Sequence, residues 1–234
     1  MRNCIVLWAL ACGLGLCTGA PAQATPTIVV LGDSLSAEYG LPRGSGWVAL
    51  LEQRLTTEKI AANVVNASIS GDTTSGGRSR LPALLQQQKP SVVVIELGGN
   101  DALRGLPLAN TQANLAAMVQ ASQQAGAKVL LLGIQVPPNY GADYSYKFAL
   151  SFSSVSTAAK VPLVPFLLAG IADGPDATAQ FQADRIHPKA QAHPRILDNV
   201  WPALLPLLRL PPSSPLAPPA PLKRKAPVHS ASVH

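Results

Sequence analysis

Beyond residue 17 the chain has no cysteine; its three, Cys4, Cys12 and Cys17, all fall near the start of 234 residues. This excludes a disulfide framework, a cysteine nucleophile and a thiolate metal site from the rest of the chain. Aromatic residues are few, at 5%, which leaves little to stack on sugar rings. Charge is sparse too, at 13%. No G-x-S-x-G stretch occurs, so a serine hydrolase of the elbow type is excluded. The chain also lacks a long apolar run at its start. The stretch 5–16 is too short for a bilayer, which takes about 20 residues.

That short run has its own meaning. "MRNCIVLWALACGLGLCTGAPAQA" places one basic residue, Arg2, before an apolar segment and an Ala-x-Ala end at Ala22 and Ala24. This is the layout of a cleavable secretory signal peptide over 1–24. Leu10-Ala11-Cys12 is a poor lipobox fragment, and it comes too early in the apolar run. A periplasmic or secreted protein with no stable membrane anchor is expected. The other end, 211–234, is Pro-rich and carries Lys223, Arg224 and Lys225. Such a composition cannot bury enough apolar surface to offset its ordering entropy, so it reads as a disordered basic tail. Removing Arg2 and the three tail cations from the net charge of +6 leaves +2 for the body. A nucleic-acid partner finds no support in that charge.

Residues 25–210 remain, enough for one domain with a good core. Five apolar, β-branched runs recur there, at 27–31, 63–67, 91–97, 127–134 and 161–166. Three show little alternation, as expected of parallel strands covered on both faces. Helical patterns lie between them. "SGWVALLEQRL" and "TQANLAAMVQASQQAG" are clear, the second capped by Asn110 or Thr111. "RSRLPALLQQQ" accommodates Pro82 only near its first turn. "DYSYKFALSFSSVSTAAK" is weakened by its serines. A last helix runs from about Pro188 to Leu208, interrupted or bent at Pro194 and Pro202. The alternation predicts an α/β fold, a three-layer α/β/α sandwich with a five-stranded parallel sheet. Ligands bind such sheets at the carboxyl ends of the strands.

The loop after each strand is therefore the informative part. "GDSLS" comes after the first and carries Ser34. "SISGDTTSGG" comes after the second and carries Gly71. "GGND" comes after the third and carries Asn100. "ADRIHP", beyond the fifth, carries Asp184 and His187. A serine hydroxyl needs a base, and His187 can supply one. With Pro188 opening a helix, His187 would sit near its N-cap, where the dipole favours neutral imidazole. Asp184 can hold the other ring nitrogen. The backbone N–H groups of Ser34 and Gly71 and the amide of Asn100 can serve a developing oxyanion. Each motif alone also reads as a turn, a cap or a surface pair. Their order, each past a strand end, favours acyl transfer.

These blocks resemble the SGNH, or GDSL, hydrolases. Within them, "VVNASISGDT", "RLPALL", "IELGGND" and "PPNYG" resemble the periplasmic group of lysophospholipases, acyl thioesterases and arylesterases. The resemblance implies a flavodoxin-like fold, no metal, no cofactor, and hydrolysis of esters and thioesters. It gives Ser34 as nucleophile, His187 and Asp184 as base and orienter, and Gly71 and Asn100 as oxyanion donors beside Ser34. The sequence departs from that family at Arg185, where glycine is usual. A cation there either disfavours charge on His187 or points to water. His193, in a second "HP" pair, reads as a surface residue. Leu103, Leu106, Val136, Pro137 and Tyr140 are expected to line an acyl pocket suited to a medium or long chain. The expected partner is a small acyl ester or thioester, bound by a monomer. A carbohydrate O-acetylesterase on the same fold is the alternative.

Overall fold

A computed structural model describes residues 25–209. The expected signal segment 1–24 and tail 211–234 lie outside the described residues. The five strands are β1 (Thr27–Gly32), β2 (Asn63–Asn66), β3 (Val92–Glu96), β4 (Lys128–Leu132) and β5 (Leu163–Val164). They form one sheet in the order β2-β1-β3-β4-β5, and every pairing is parallel. All of β3 is buried, and β1 and β4 are buried except for their first residues. Continuous apolar runs mean helices on both faces. The last strand is shorter than its apolar run, because only Leu163 and Val164 align with β4.

The helices are α1 (Trp47–Thr57), α2 (Thr74–Gln88), α3 (Gly99–Leu103), α4 (Leu108–Gln124), α5 (Ala142–Ala159), α6 (Ala177–Gln180) and α7 (His193–Arg209). α1 packs with α7 on one face, and α2, α4 and α5 lie side by side on the other. The three-layer α/β/α sandwich is thus present.

Several helix boundaries differ from expectation. α2 starts at Thr74, where the Thr73 hydroxyl caps the Gly76 N–H at 3.2 Å, so Pro82 sits well inside the helix. Pro82 and Arg78, whose carbonyl loses its donor, are both exposed, so water can serve that carbonyl. Gly77 explains why so poor a helix former starts this element. A Cβ there would lie 2.2 Å from Leu97 Cδ1, so its absence lets α2 settle on the sheet. α4 begins at Leu108, before the expected cap; Thr111 is buried and donates to Asp101 instead. The serines of α5 turn their hydroxyls back on the helix, Ser145 to Gly141 O and Ser151 to Lys147 O, so they do not break it.

α7 starts at His193, five residues later than expected, and runs unbroken through Pro202 and Pro206. Six apolar side chains, Ile196, Leu197, Val200, Trp201, Leu204 and Leu207, bury along one stripe. At about 2 kcal/mol each they outweigh two interior prolines at about 3 kcal/mol each. Both prolines face solvent. His193 is not a surface residue. It is 2% exposed, and its Nδ1 accepts from the Trp47 N–H at 3.0 Å, joining the starts of α7 and α1. Burial pushes its pKa down, against smaller opposing effects of the Pro188 backbone and Glu38.

Candidate active site

Parallel strands bring their following loops to one edge, and the expected site residues meet there. β1 ends at Gly32, and the chain turns at once. Asp33 Oδ1 accepts from the Leu35 N–H at 3.1 Å, and Asp33 O from the N–H groups of Ser36 and Ala37, which leaves Ser34 at the crest. Ser34 Oγ lies 2.8 Å from His187 Nε2, across 153 residues of sequence. His187 Nδ1 lies 2.7 Å from Asp184 Oδ2.

The segment holding Asp184 and His187 is a tight turn rather than a helix start. The Gln182 N–H donates to His187 O at 2.8 Å and the Lys189 N–H to Gln180 O at 2.8 Å, with Phe181 bridged to Pro188. His187 therefore is not at a helix N-cap, and no helix dipole acts on it from Pro188. Its ring is oriented by Asp184, through the contact at Nδ1. Asp184 Oδ1 accepts from the Ile186 and His187 N–H groups at 2.9 and 3.0 Å, a side-chain turn that fixes the carboxylate. Desolvation works against its charge, but these N–H groups and then the imidazole outweigh it and hold Asp184 down at about 2. Arg185 sits at the corner with φ of 59°. That left-handed conformation costs an L-residue roughly 1–2 kcal/mol and costs glycine nothing, which explains the glycine usual at this place. The Arg185 side chain is exposed and lines the mouth of the site. The Tyr39 ring covers His187, with centroids 4.3 Å apart.

Opposite the serine stand Gly71 and Asn100. Gly71 has φ of 80°, so glycine is required there. Its carbonyl accepts from Arg104 Nη2 at 2.7 Å. Among the described residues, no acceptor takes the backbone N–H of Ser34 or of Gly71. Asn100 lies in the first turn of α3 rather than in a loop. Its Nδ2 donates to Asp33 Oδ2 at 3.0 Å, which settles which end of the amide carries the protons and leaves one of them available. Among the described residues no group of three or more His, Cys, Asp or Glu is placed to hold a metal ion.

A cavity of about 700 Å³ opens beside Ser34. Leu103, Val136 and Pro137 are among the residues that line it. Leu106 and Tyr140 are not. After Gly105, at φ of 63°, the chain folds back and the Leu106 N–H donates to Asp101 O at 2.9 Å. Tyr140 closes a 3-10 turn, Pro138–Tyr140, and stacks toward Tyr144 of α5 instead. The sequence reading missed Ile134, Phe166, Leu168, Ala172 and Phe181, which complete the apolar wall. The signal was available: most come after β5, whose carboxyl end opens onto the same edge.

The Esterase TesA of Pseudomonas aeruginosa is 55% identical to this chain over 185 residues, covering 79% of the chain and 90% of that protein. The Thioesterase 1/protease 1/lysophospholipase L1 of Escherichia coli K12 is 41% identical over 187 residues, covering 80% and 87%. The crystal structure of psychrotrophic esterase EstA from Pseudoalteromonas sp., inhibited by monoethylphosphonate, matches with a TM-score of 0.73 at 42% identity, over 79% of this chain and 99% of that one. The model of the GDSL-like Lipase/Acylhydrolase family matches residues 30–195. With the site's order along the chain and its relatives in agreement, the chain belongs to the GDSL-like lipase/acylhydrolase family.

Proposed function

We propose that the protein is a serine esterase that hydrolyses carboxylic esters, and thioesters, of medium to long acyl chains. The observation that carries this reading is the unbroken hydrogen-bonded series Ser34–His187–Asp184 at the mouth of an apolar cavity. In this reading His187 Nε2 takes the proton of Ser34 Oγ as the oxygen attacks the acyl carbonyl. Asp184 stabilises the imidazolium that forms. The N–H groups of Ser34 and Gly71 and the Asn100 amide receive the oxyanion. The tetrahedral intermediate collapses, and His187 gives its proton to the departing alcohol or thiol. A water molecule then repeats the sequence on the acyl-enzyme and releases the acid.

The acyl chain is assigned to the cavity bounded by Leu103, Val136 and Pro137 with Ile134, Phe166 and Leu168. About 700 Å³ of mostly apolar space exceeds what an acetyl group fills. That favours an acyl-chain hydrolase over a carbohydrate O-acetylesterase. The remaining parts of the proposal are a cleaved signal over 1–24, an exported hydrolase domain over 25–210 and a tail over 211–234. Among the described residues no helix is long and apolar enough to cross a membrane.

Steady-state kinetics on a chain-length series of p-nitrophenyl esters and acyl-CoAs test the substrate assignment. kcat/KM is expected to rise from acetyl to medium chains, and a maximum at acetyl would refute the assignment. Ser34→Ala is expected to cost several orders of magnitude in kcat with the fold intact. An organophosphonate should label Ser34 alone.

A further inference from the structure

Two carboxyl groups sit beneath the oxyanion side of the site, and the hydrolytic steps use neither. Asp33 is 2% exposed and Glu96, the last residue of β3, is 0% exposed. Their surroundings are unequal. Asp33 accepts from the Leu35 N–H through Oδ1 and from Asn100 through Oδ2. Glu96 Oε2 accepts from Ser36 Oγ at 2.8 Å and from the Asp33 N–H at 3.2 Å. Among the described residues Glu96 Oε1 has no donor. The N–H contact places the Glu96 carboxyl directly beside Asp33.

The charged groups nearby do not relieve Glu96. Arg80 of α2 reaches the Gly32 carbonyl at 3.4 Å but is ion-paired with Asp72 at 2.8 Å. Trp47 of α1 approaches only through Ser36, to which its Nε1 donates at 3.1 Å. Asp101 of α3 is engaged by Thr74 and Thr111. His187 is engaged by Ser34 and Asp184. Two adjacent buried carboxylates cannot both ionise when, among the described residues, no cation is ion-paired with either. One proton must remain, and the donors decide where. Asp33 has a donor on each oxygen and suits the charge. Glu96 has an oxygen without a donor and suits the proton.

We propose that Glu96 is a positioning residue for the oxyanion hole: its neutral carboxyl donates a hydrogen bond to Asp33, which keeps Asp33 an acceptor and so holds the Asn100 amide toward the reacting carbonyl. The relay runs Glu96 to Asp33 to Asn100, from the sheet to the substrate. Burial accounts for the proton, pushing Glu96 well above the usual carboxylate range with the Asp33 charge adding to it. Ser36 and Trp47 hold the Glu96 carboxyl in place from the other side. The inference rests on Asn100 being an oxyanion donor.

The test uses the whole protein, with kcat expressed per site titrated by organophosphonate. Glu96→Gln still donates to Asp33 and accepts from Ser36, and should keep kcat within about twofold. Glu96→Ala removes the relay and should lower kcat at least roughly tenfold with KM within a few-fold, as expected of a donor that acts on the transition state. Asn100→Ala should lower kcat roughly a hundredfold, and adding Glu96→Ala to it should lower kcat no further. Infrared spectra at neutral pH should show a protonated-carboxyl band that Glu96→Gln removes; this reading and the Gln variant do not depend on the Ala variant folding. Absence of that band, an unimpaired Glu96→Ala, or a Glu96→Gln as impaired as Glu96→Ala would overturn the inference. An unimpaired Asn100→Ala would instead overturn the oxyanion assignment itself.

Discussion

Asp184 is exposed over 37% of its side chain, yet it is the most strongly ionised group of the site. Its charge comes from hydrogen bonds within four residues rather than from enclosure. A carboxyl held at about 2, below its ordinary 3.8, contributes stability that is present above 3.8 and is lost as pH falls toward 2. Asp184→Asn should therefore lower the urea midpoint at pH 6, and the gap from the parent protein should close by about pH 2. The same variant should lose roughly three to four orders of magnitude in kcat at neutral pH, since the wrong imidazole tautomer is then held toward Ser34. Equal midpoint differences at both pH values would show that Asp184 gains nothing from its turn. Asp33 lies at the opposite extreme. Burial raises it to about 6 against the pull of the Leu35 N–H, Asn100 and His187. Two aspartates near one histidine thus differ by their hydrogen bonds and their depth.

At the scale of elements, α2 shows how a local cap sets a boundary. Thr73 accepts from the Gly76 N–H, and the chain turns helical directly behind the Gly71 loop. Thr73→Ala should lower stability by about 1 kcal/mol, read from chemical denaturation with an unchanged m-value. A neutral effect would mean that packing of Gly77 on Leu97 alone starts the helix. The strands were legible because buried parallel strands are written as unbroken apolar runs, and Ser34, Gly71 and Asn100 could be found from standing past their ends. The helix starts were not. "TTSGG" reads as a loop because glycine is a poor helix former, and only the closeness of Leu97 shows why Gly77 is needed. Pro194 and Pro202 read as breaks because the sequence does not show that Pro194 falls in the first turn of α7 and that Pro202 faces water. His193 read as exposed because its partner, the Trp47 N–H, is 146 residues away. The wall beyond β5 was legible by the same rule that found Ser34, but the apolar residues of 166–181 do not alternate or repeat and so resemble a plain connection.

For the molecule as a whole, the sheet is the frame, and every residue of the proposed chemistry stands on its carboxyl edge. Nothing in that arrangement calls for residues past α7. Deleting 212–234 should leave kcat and Tm unchanged, because the segment has no apolar periodicity with which to dock; a clear fall in Tm on truncation would contradict this. The separation of 153 residues between Ser34 and His187 has a consequence for timing. Synthesis delivers Ser34 early, just past the first strand, and His187 near the end. In the proposed chemistry Ser34 stays an ordinary alcohol until β5 has paired and the turn at 184–187 has closed, because only then can its 2.8 Å contact with His187 form. On that reading a newly made chain does not hydrolyse esters until its folding is complete.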